Sequence, residues 1–225
     1  MVFLQEGEVT FQPAQHAAFT LPKAAVVGHF TCHHTIKVQG PVKMTVVQLN
    51  AYGCYKLAGL NMSAFNNYYR DLLKQDNGQW QHLVDAINGT TDYMQLDASL
   101  DKAFMDMMMT REHSLKQMDE VADYMLRHQG HVNIERLVRK FKISRPTLER
   151  KFMEVIGITP QLYARMLRFR DAMRHMQQMN VEQWQSFITK SENYNQDLFN
   201  QDFQFFKGSE STIARMPVSQ TMAVA

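Results

Sequence analysis

Residues 133–174 read NIERLVRKFKISRPTLERKFMEVIGITPQLYARMLRFRDAMR. Helical periodicity runs through this stretch with two interruptions. Leu137 and Val138 face inward on a short helix opened by Asn133, whose side chain suits an N-cap. Lys142 and Ile143 make a turn. Ser144 caps the next helix, and Pro146 sits in its first turn, where a missing N–H costs little. Leu148, Phe152 and Val155 point inward there, and Gly157 is the stop. Thr159 and Pro160 then open a long helix to about residue 179. Its apolar stripe is Leu162, Tyr163, Met166, Leu167, Phe169, Met173 and Met176. Short helix, tight turn and second helix, over about 133–153, is the helix-turn-helix plan, in which the second helix reads the DNA major groove.

The charge is concentrated in the same place. Residues 136–174 hold eleven Lys/Arg and three acids (Glu149, Glu154 and Asp171), a local excess of +8 in a chain of net charge +2. Residues 1–114 carry 8 Lys/Arg and 10 Asp/Glu, whereas residues 115–225 carry 16 and 12. A near-neutral first half joined to a basic helical half points to a sensor or assembly domain followed by a polyanion-binding one.

Upstream, the first 58 residues read as β. Segments 7–12, 24–31, 35–38 and 44–55 are rich in Val, Phe, Thr and Tyr, with turn formers at Pro13, Pro22 and Gln39-Gly40-Pro41. Four or five strands make a small sheet with exposed edges. From Ser63 the period turns helical through Phe65, Tyr68, Tyr69, Leu72 and Leu73, until Asn77-Gly78 breaks it. Further helices are expected over 79–88, 96–113 and 114–129. The Met-rich run 105–109 suits adaptable core or a dimer contact. Downstream, segments 181–190 and 195–206 repeat the helix-turn-helix plan, with Gly208 as the stop, and the tail from Pro217 has no pattern. The expected fold class is α+β. A small N-terminal β-sheet or partial barrel with helices (1–110) precedes an all-α domain of two helix-turn-helix units joined by a long linker helix (111–216), and a tail follows (217–225).

Composition narrows the function classes. With 45% apolar and 20% charged residues the chain can bury a core. No apolar run approaches the roughly 18–20 residues of a membrane span, so no membrane partner is expected. The start, MVFLQEGEVTF, lacks the basic region of a signal peptide, which points to the cytoplasm. Cys32 and Cys54 fit a reducing compartment. There is no nucleophile elbow, HExxH motif, phosphate-binding glycine loop or carboxylate pair beside a His, so neither an enzyme nor a cofactor is expected. The run GHFTCHH, 28–34, gathers three His and one Cys. In a strand His29 and His33 face away from Cys32 and His34, so no metal site is expected. A small-molecule pocket under the β segment would be lined by Phe30, Val47, Tyr52 and Tyr55.

Residues 115–215 resemble the DNA-binding domain of the AraC/XylS family of bacterial transcription regulators. The resemblance rests on Ile143-Ser144-Arg145-Pro146-Thr147-Leu148-Glu149-Arg150-Lys151-Phe152, then Gly157-Ile158-Thr159-Pro160, Tyr163, Leu167-Arg168, and finally Phe199, Phe203 and Gly208. Residues 1–110 resemble the N-terminal domain of one branch of these regulators, in a form shortened at its beginning. Gly53-Cys54-Tyr55-Lys56-Leu57-Ala58-Gly59 and Met62-Ser63-Ala64-Phe65 carry that likeness. The resemblance implies sequence-specific binding to double-stranded DNA and regulation of transcription. It also implies a first domain that binds a small-molecule effector or forms a homodimer, and an activator's contact with RNA polymerase.

On the helix over 145–152, Leu148 and Phe152 take the core side and leave Arg145, Pro146, Glu149 and Arg150 opposite. Arg150 suits guanine O6 and N7. Glu149 suits cytosine N4, or the orientation of Arg150. A base contact of this kind is worth roughly 1–3 kcal/mol. Arg145, Thr147 and Lys151 suit phosphates. Arg145 and Glu149, four apart, also suit an ion pair on a solvated face. Arg139, Lys140 and Lys142 suit phosphate contact or plain solvation. Arg168, matching the family's linker arginine, would hold the two units at a fixed separation, while the other linker arginines read as solvated.

The second unit offers Gln196, Asn200 and Gln201, together with Asp197 and Asp202, and no arginine. Glu192-Asn193 stand where the family has a glycine and then an aromatic. Residues 175–225 count 3 Lys/Arg against 5 acids. This unit is expected to bind DNA weakly or to support the first. The alternative reading is a protein-interaction or antagonist module that keeps the fold and has lost DNA reading.

Overall fold

The computed structural model describes residues 1–14, 16–75, 78–90, 92–110, 115, 117–190 and 194–207. Its N-terminal part is a curled antiparallel sheet of five strands organised around one long strand, β1 (Val2–Pro13). One edge of β1 pairs with β4 (His34–Val46) from end to end. The other edge is shared. β3 (Ala24–Val27) pairs with its start, Val2↔Ala25, and β2 (Phe19–Thr20) with its end, Phe11↔Phe19. β5 (Tyr69–Asp71) extends the sheet beyond β3.

The register of β1 and β4 slips between Leu4 and Glu8. An extra residue in one strand exchanges the faces that later side chains point to. Accordingly Val2 and Leu4 pack with the same apolar cluster as Val9 and Phe11, while Phe3 goes to the other core. Gly7 makes the bulge possible. Its φ is +79°, and a Cβ there would lie 2.4 Å from the Pro41 carbonyl oxygen. Gly40-Pro41, expected as a turn between two strands, therefore lies inside one continuous strand opposite this bulge.

Three further β-region expectations are corrected. The strand expected over 24–31 ends at Val27, and residues 28–33 run as a loop without the assumed alternation of His and Cys faces. The strand expected over 44–55 ends at Val46, and α1 (Gly53–Ala58) follows, because the turn Asn50–Gly53 closes on a 3.1 Å backbone bond and starts a helix that buries Leu57. The helix expected from Ser63 is a single 3₁₀ turn, Met62–Phe65, capped by the Asn61 side chain. Asn67 at φ 54° breaks it, and Tyr69–Asp71 goes to the free edge of β3. Period alone did not reveal that a strand edge was waiting for Tyr69.

The helices follow closely from the sequence. α2 (Gln79–Gly89) and α3 (Tyr93–Thr110) complete the first core with Trp80, Leu83, Ile87, Leu100 and Met107. α4 (Met118–Arg127) starts later than expected, buries Met118, Val121, Ala122 and Met125, and leaves Leu126 41% exposed. α5 (Ile134–Lys140), α6 (Arg145–Ile156) and α7 (Pro160–Gln178) come next, then α8 (Val181–Lys190) and α9 (Gln196–Lys207). Asn77, the residues 111–114 that contain the expected domain boundary, Glu192-Asn193, Gly208 and the tail lie outside the described residues.

The two halves are in contact. Met62 and Asn66 lie against Gly157, where Asn66 Nδ2 donates to the glycine carbonyl. The Tyr55 hydroxyl donates to Glu154 Oε1 at 3.2 Å, and the Tyr52 hydroxyl donates to Asp123 Oδ2 at 3.3 Å. The partly buried His29 ring bonds the Ile156 backbone and meets Tyr163 edge-on. All of these contacts to α6 fall at its C-terminal end, Glu154 to Gly157, and among the described residues none falls on its first two turns.

Candidate nucleic-acid interface

α5 and α6 hold their relative positions through caps and a shared core. Asn133 Oδ1 accepts from Arg136 N at 3.1 Å, and Ser144 Oγ accepts from Thr147 N at 3.3 Å. Lys142 turns the chain between them at φ 51°. Leu148, Phe152 and Ile156 are fully buried, with Leu137 beside them. Gly157 ends α6 in the left-handed region, φ 95°. Thr159 Oγ1 caps α7 by accepting from Leu162 N at 3.2 Å. Each end of the pair is therefore fixed by a local bond, as the cap residues required.

This packing leaves one basic face outward. Arg139, Lys142, Arg145, Pro146 and Arg150 are exposed, and Thr147, Glu149 and Lys151 are half-exposed. Among the described residues Arg150 makes no ion pair or hydrogen bond. Arg145 is occupied on two sides. Its Nε donates to Glu149 Oε1 at 3.1 Å and its Nη1 to Glu135 Oε1 at 3.0 Å. Gln161 Nε2, from the first turn of α7, reaches the same Glu149 oxygen at 3.4 Å. The bond from Arg145, and then that from Gln161, hold the Glu149 carboxyl below the usual carboxylate range. Among the described residues Glu149 thus bonds Arg145 and Gln161 rather than Arg150, and Arg145, still exposed, is paired with two carboxylates. Thr147 Oγ1 is bonded to Ser144 Oγ at 2.8 Å, so its hydroxyl completes the cap. Gln161 and Glu135 were not singled out from the sequence. The inward placing of Leu162 and Tyr163 put Gln161 at the α6–α7 seam, which is the signal that would have found it.

The linker arginines divide. Arg168 Nη1 donates to the Gly130 carbonyl at 2.8 Å, tying α7 to the end of α4, and the charge of Asp202 acts on it from the second unit. Arg165, read as solvated, is ion-paired with Asp202 and lies 4.3 Å over the Phe205 ring. Arg174 pairs with Asp171. Arg170 is exposed.

In the second unit Asn180 and Gln183 cap α8 reciprocally, side chain to backbone in both directions, at 3.1 and 2.9 Å. Phe169, Ile188, Tyr194 and Phe199 form its core. Asp202 is 4% exposed and belongs to that core, so it does not stand on the outward face with Asp197. The outward face carries Gln196, Asn200 and Gln201, and Gln196 Nε2 donates to Asn200 Oδ1 at 3.0 Å.

The four residues assigned to a small-molecule pocket pack in different places among the described residues. Phe30, 37% exposed, stacks on Phe11 and lies tilted against His34. Val47 packs in the first core, and Tyr52 and Tyr55 turn toward α4 and α6. A shallow groove instead lies between α4 and α5, bordered by Asp123, Tyr124, His128, Lys140 and Phe141. Of the Met-rich run, Met107 is buried, while Met105 and Met109 are exposed on α3. No helix among the described residues is long and apolar enough to cross a membrane. No family model matches the chain, and neither a curated protein nor a solved structure does.

Proposed function

We propose that the protein is a sequence-specific DNA-binding transcription regulator that reads the major groove mainly through α6, with its first half serving effector binding or dimerisation. The observation that carries this reading is the outward face of α5 and α6. It joins Arg150, which has no ion pair or hydrogen bond among the described residues, to Lys151, Lys142, Lys140 and Arg139, on a helix whose opposite face is fully buried and whose Arg145, Pro146 and Arg150 are exposed. A rigid helix with exposed cations and base-reading side chains on one face suits a groove lined by phosphates and base edges. Five such cations imply a dependence of log K on log salt with a slope of roughly −4 to −5. Titration of the full chain against genomic duplex fragments at several salt concentrations tests this, and salt-independent or negligible binding refutes it.

A second reading has its own support in the outward face of α9. Asp197 stands there among amides, and the acidic charge of the second unit is poorly suited to phosphates. A protein-interaction or antagonist module is the function that fits this face, and the same titration separates the two.

A further inference from the structure

Glu149 presents its two oxygens unequally. Oε1 accepts from both Arg145 Nε and Gln161 Nε2, at 3.1 and 3.4 Å. No donor meets Oε2 among the described residues. The side chain is 40% exposed, on the same outward face as Arg150. Anchoring one oxygen from two different helices removes the freedom of a long surface glutamate and leaves the other oxygen as a fixed acceptor. Arg145 also offsets its charge, and Arg145 itself is braced by Glu135. A carboxylate is thereby made tolerable on a surface otherwise built for polyanions.

An ionised carboxylate only accepts hydrogen bonds. In the major groove guanine shows two acceptors, thymine an acceptor and a methyl, and adenine a donor beside an acceptor. Cytosine alone shows a donor and nothing that repels a carboxylate. We propose that Glu149 reads a cytosine through its free Oε2, and that Gln161 and Arg145 are positioning residues for it. This inference rests on the DNA-binding reading above and goes beyond it by assigning one base to one side chain.

The test is selection of bound duplexes from a randomised library, using the full chain, Glu149→Gln and Gln161→Leu, with thermal melts to verify folding. The parent should favour cytosine over thymine about tenfold at one position. Glu149→Gln should move that one preference to adenine, whose N6 and N7 match an amide, and leave the position read by Arg150 as it was. Gln161→Leu should flatten the same position to a few-fold and no other, a pattern that general loosening of the fold would not give. If Glu149→Gln binds with an unchanged profile, or Gln161→Leu alters every position alike, the assignment is wrong while DNA binding stands. If the parent binds no duplex in a salt-dependent way, both readings fall together.

Discussion

The hydroxyl of Tyr194 donates to Oδ2 of Asp202 at 2.8 Å inside the second helix pair, and the other oxygen of that carboxylate is ion-paired with Arg165. One buried acid thus binds α9 to the segment before it and to the linker helix. Burial and the Asp202 carboxylate push the Tyr194 phenol far up, so it remains a donor.

Asp202→Ala removes the acceptor from both partners. A tyrosine hydroxyl left unpaired in a core costs about 1–3 kcal/mol. Arg165 is partly exposed and recovers water, so the lost ion pair adds less than a fully buried one would. Urea denaturation should show a loss of about 2–4 kcal/mol, with Asp202→Asn losing less because its amide oxygen still accepts. An Asp202→Ala protein as stable as the parent would remove this triad from any account of how α9 is held.

Arg150→Ala should weaken binding to a selected duplex by about 1–3 kcal/mol, the worth of one good base contact. Gln201→Ala should change it by under about 0.5 kcal/mol if the second unit only supports the first. Fluorescence anisotropy on one labelled duplex compares the two. Equal losses would mean that both helices read DNA.

Desolvation lowers the pKa of His29 at the contact with Ile156 and Tyr163. The unfolded chain, with a histidine near 6.5, binds the proton first as pH falls. The associated stability is therefore fully present above pH about 6.5 and declines below it, by at most about 1.4 kcal/mol per pH unit for one such group. His34 and His131 are lowered by desolvation too and add in the same direction. Denaturation midpoints between pH 7.5 and 5 should fall, and His29→Gln should fall less steeply. A parent with a flat profile across that range contradicts the assignment.

Gly157→Ala meets two obstacles. The residue sits at φ 95°, and a Cβ would stand 2.6 Å from the Met62 carbonyl oxygen. The left-handed conformation alone costs an alanine about 1–2 kcal/mol. The backbone clash must also be relieved by separating the two halves. The substitution should lower the melting temperature and speed proteolysis between the halves, whereas Gly89→Ala, facing open space, should do neither.

The helical half was legible because its signals are local. Asn133, Ser144, Gly157 and Thr159 each announce a helix end through a bond or a φ that needs only near neighbours, and all four act as read. The β half was less legible because its decisions are distant. Tyr69–Asp71 has helical spacing but takes a strand partner more than forty residues away, Val26↔Arg70. Gly40-Pro41 looks like a turn until the bulge at Gly7 is placed opposite it. At the candidate interface the face of α6 followed from period. The inward turn of Asp202 and the reach of Gln161 did not, since each depends on how neighbouring helices pack.

The placement of Gly157 bears on exchange between related chains. The residue that halts α6 is also where Met62 and Asn66 of the other half sit, and its carbonyl is taken by Asn66. A chimera that grafts this helical half onto a foreign first half would retain its helices but leave that seat empty. The two halves should therefore be inherited, and engineered, as a matched set, with changes at 62 and 66 tracking those at 154–157.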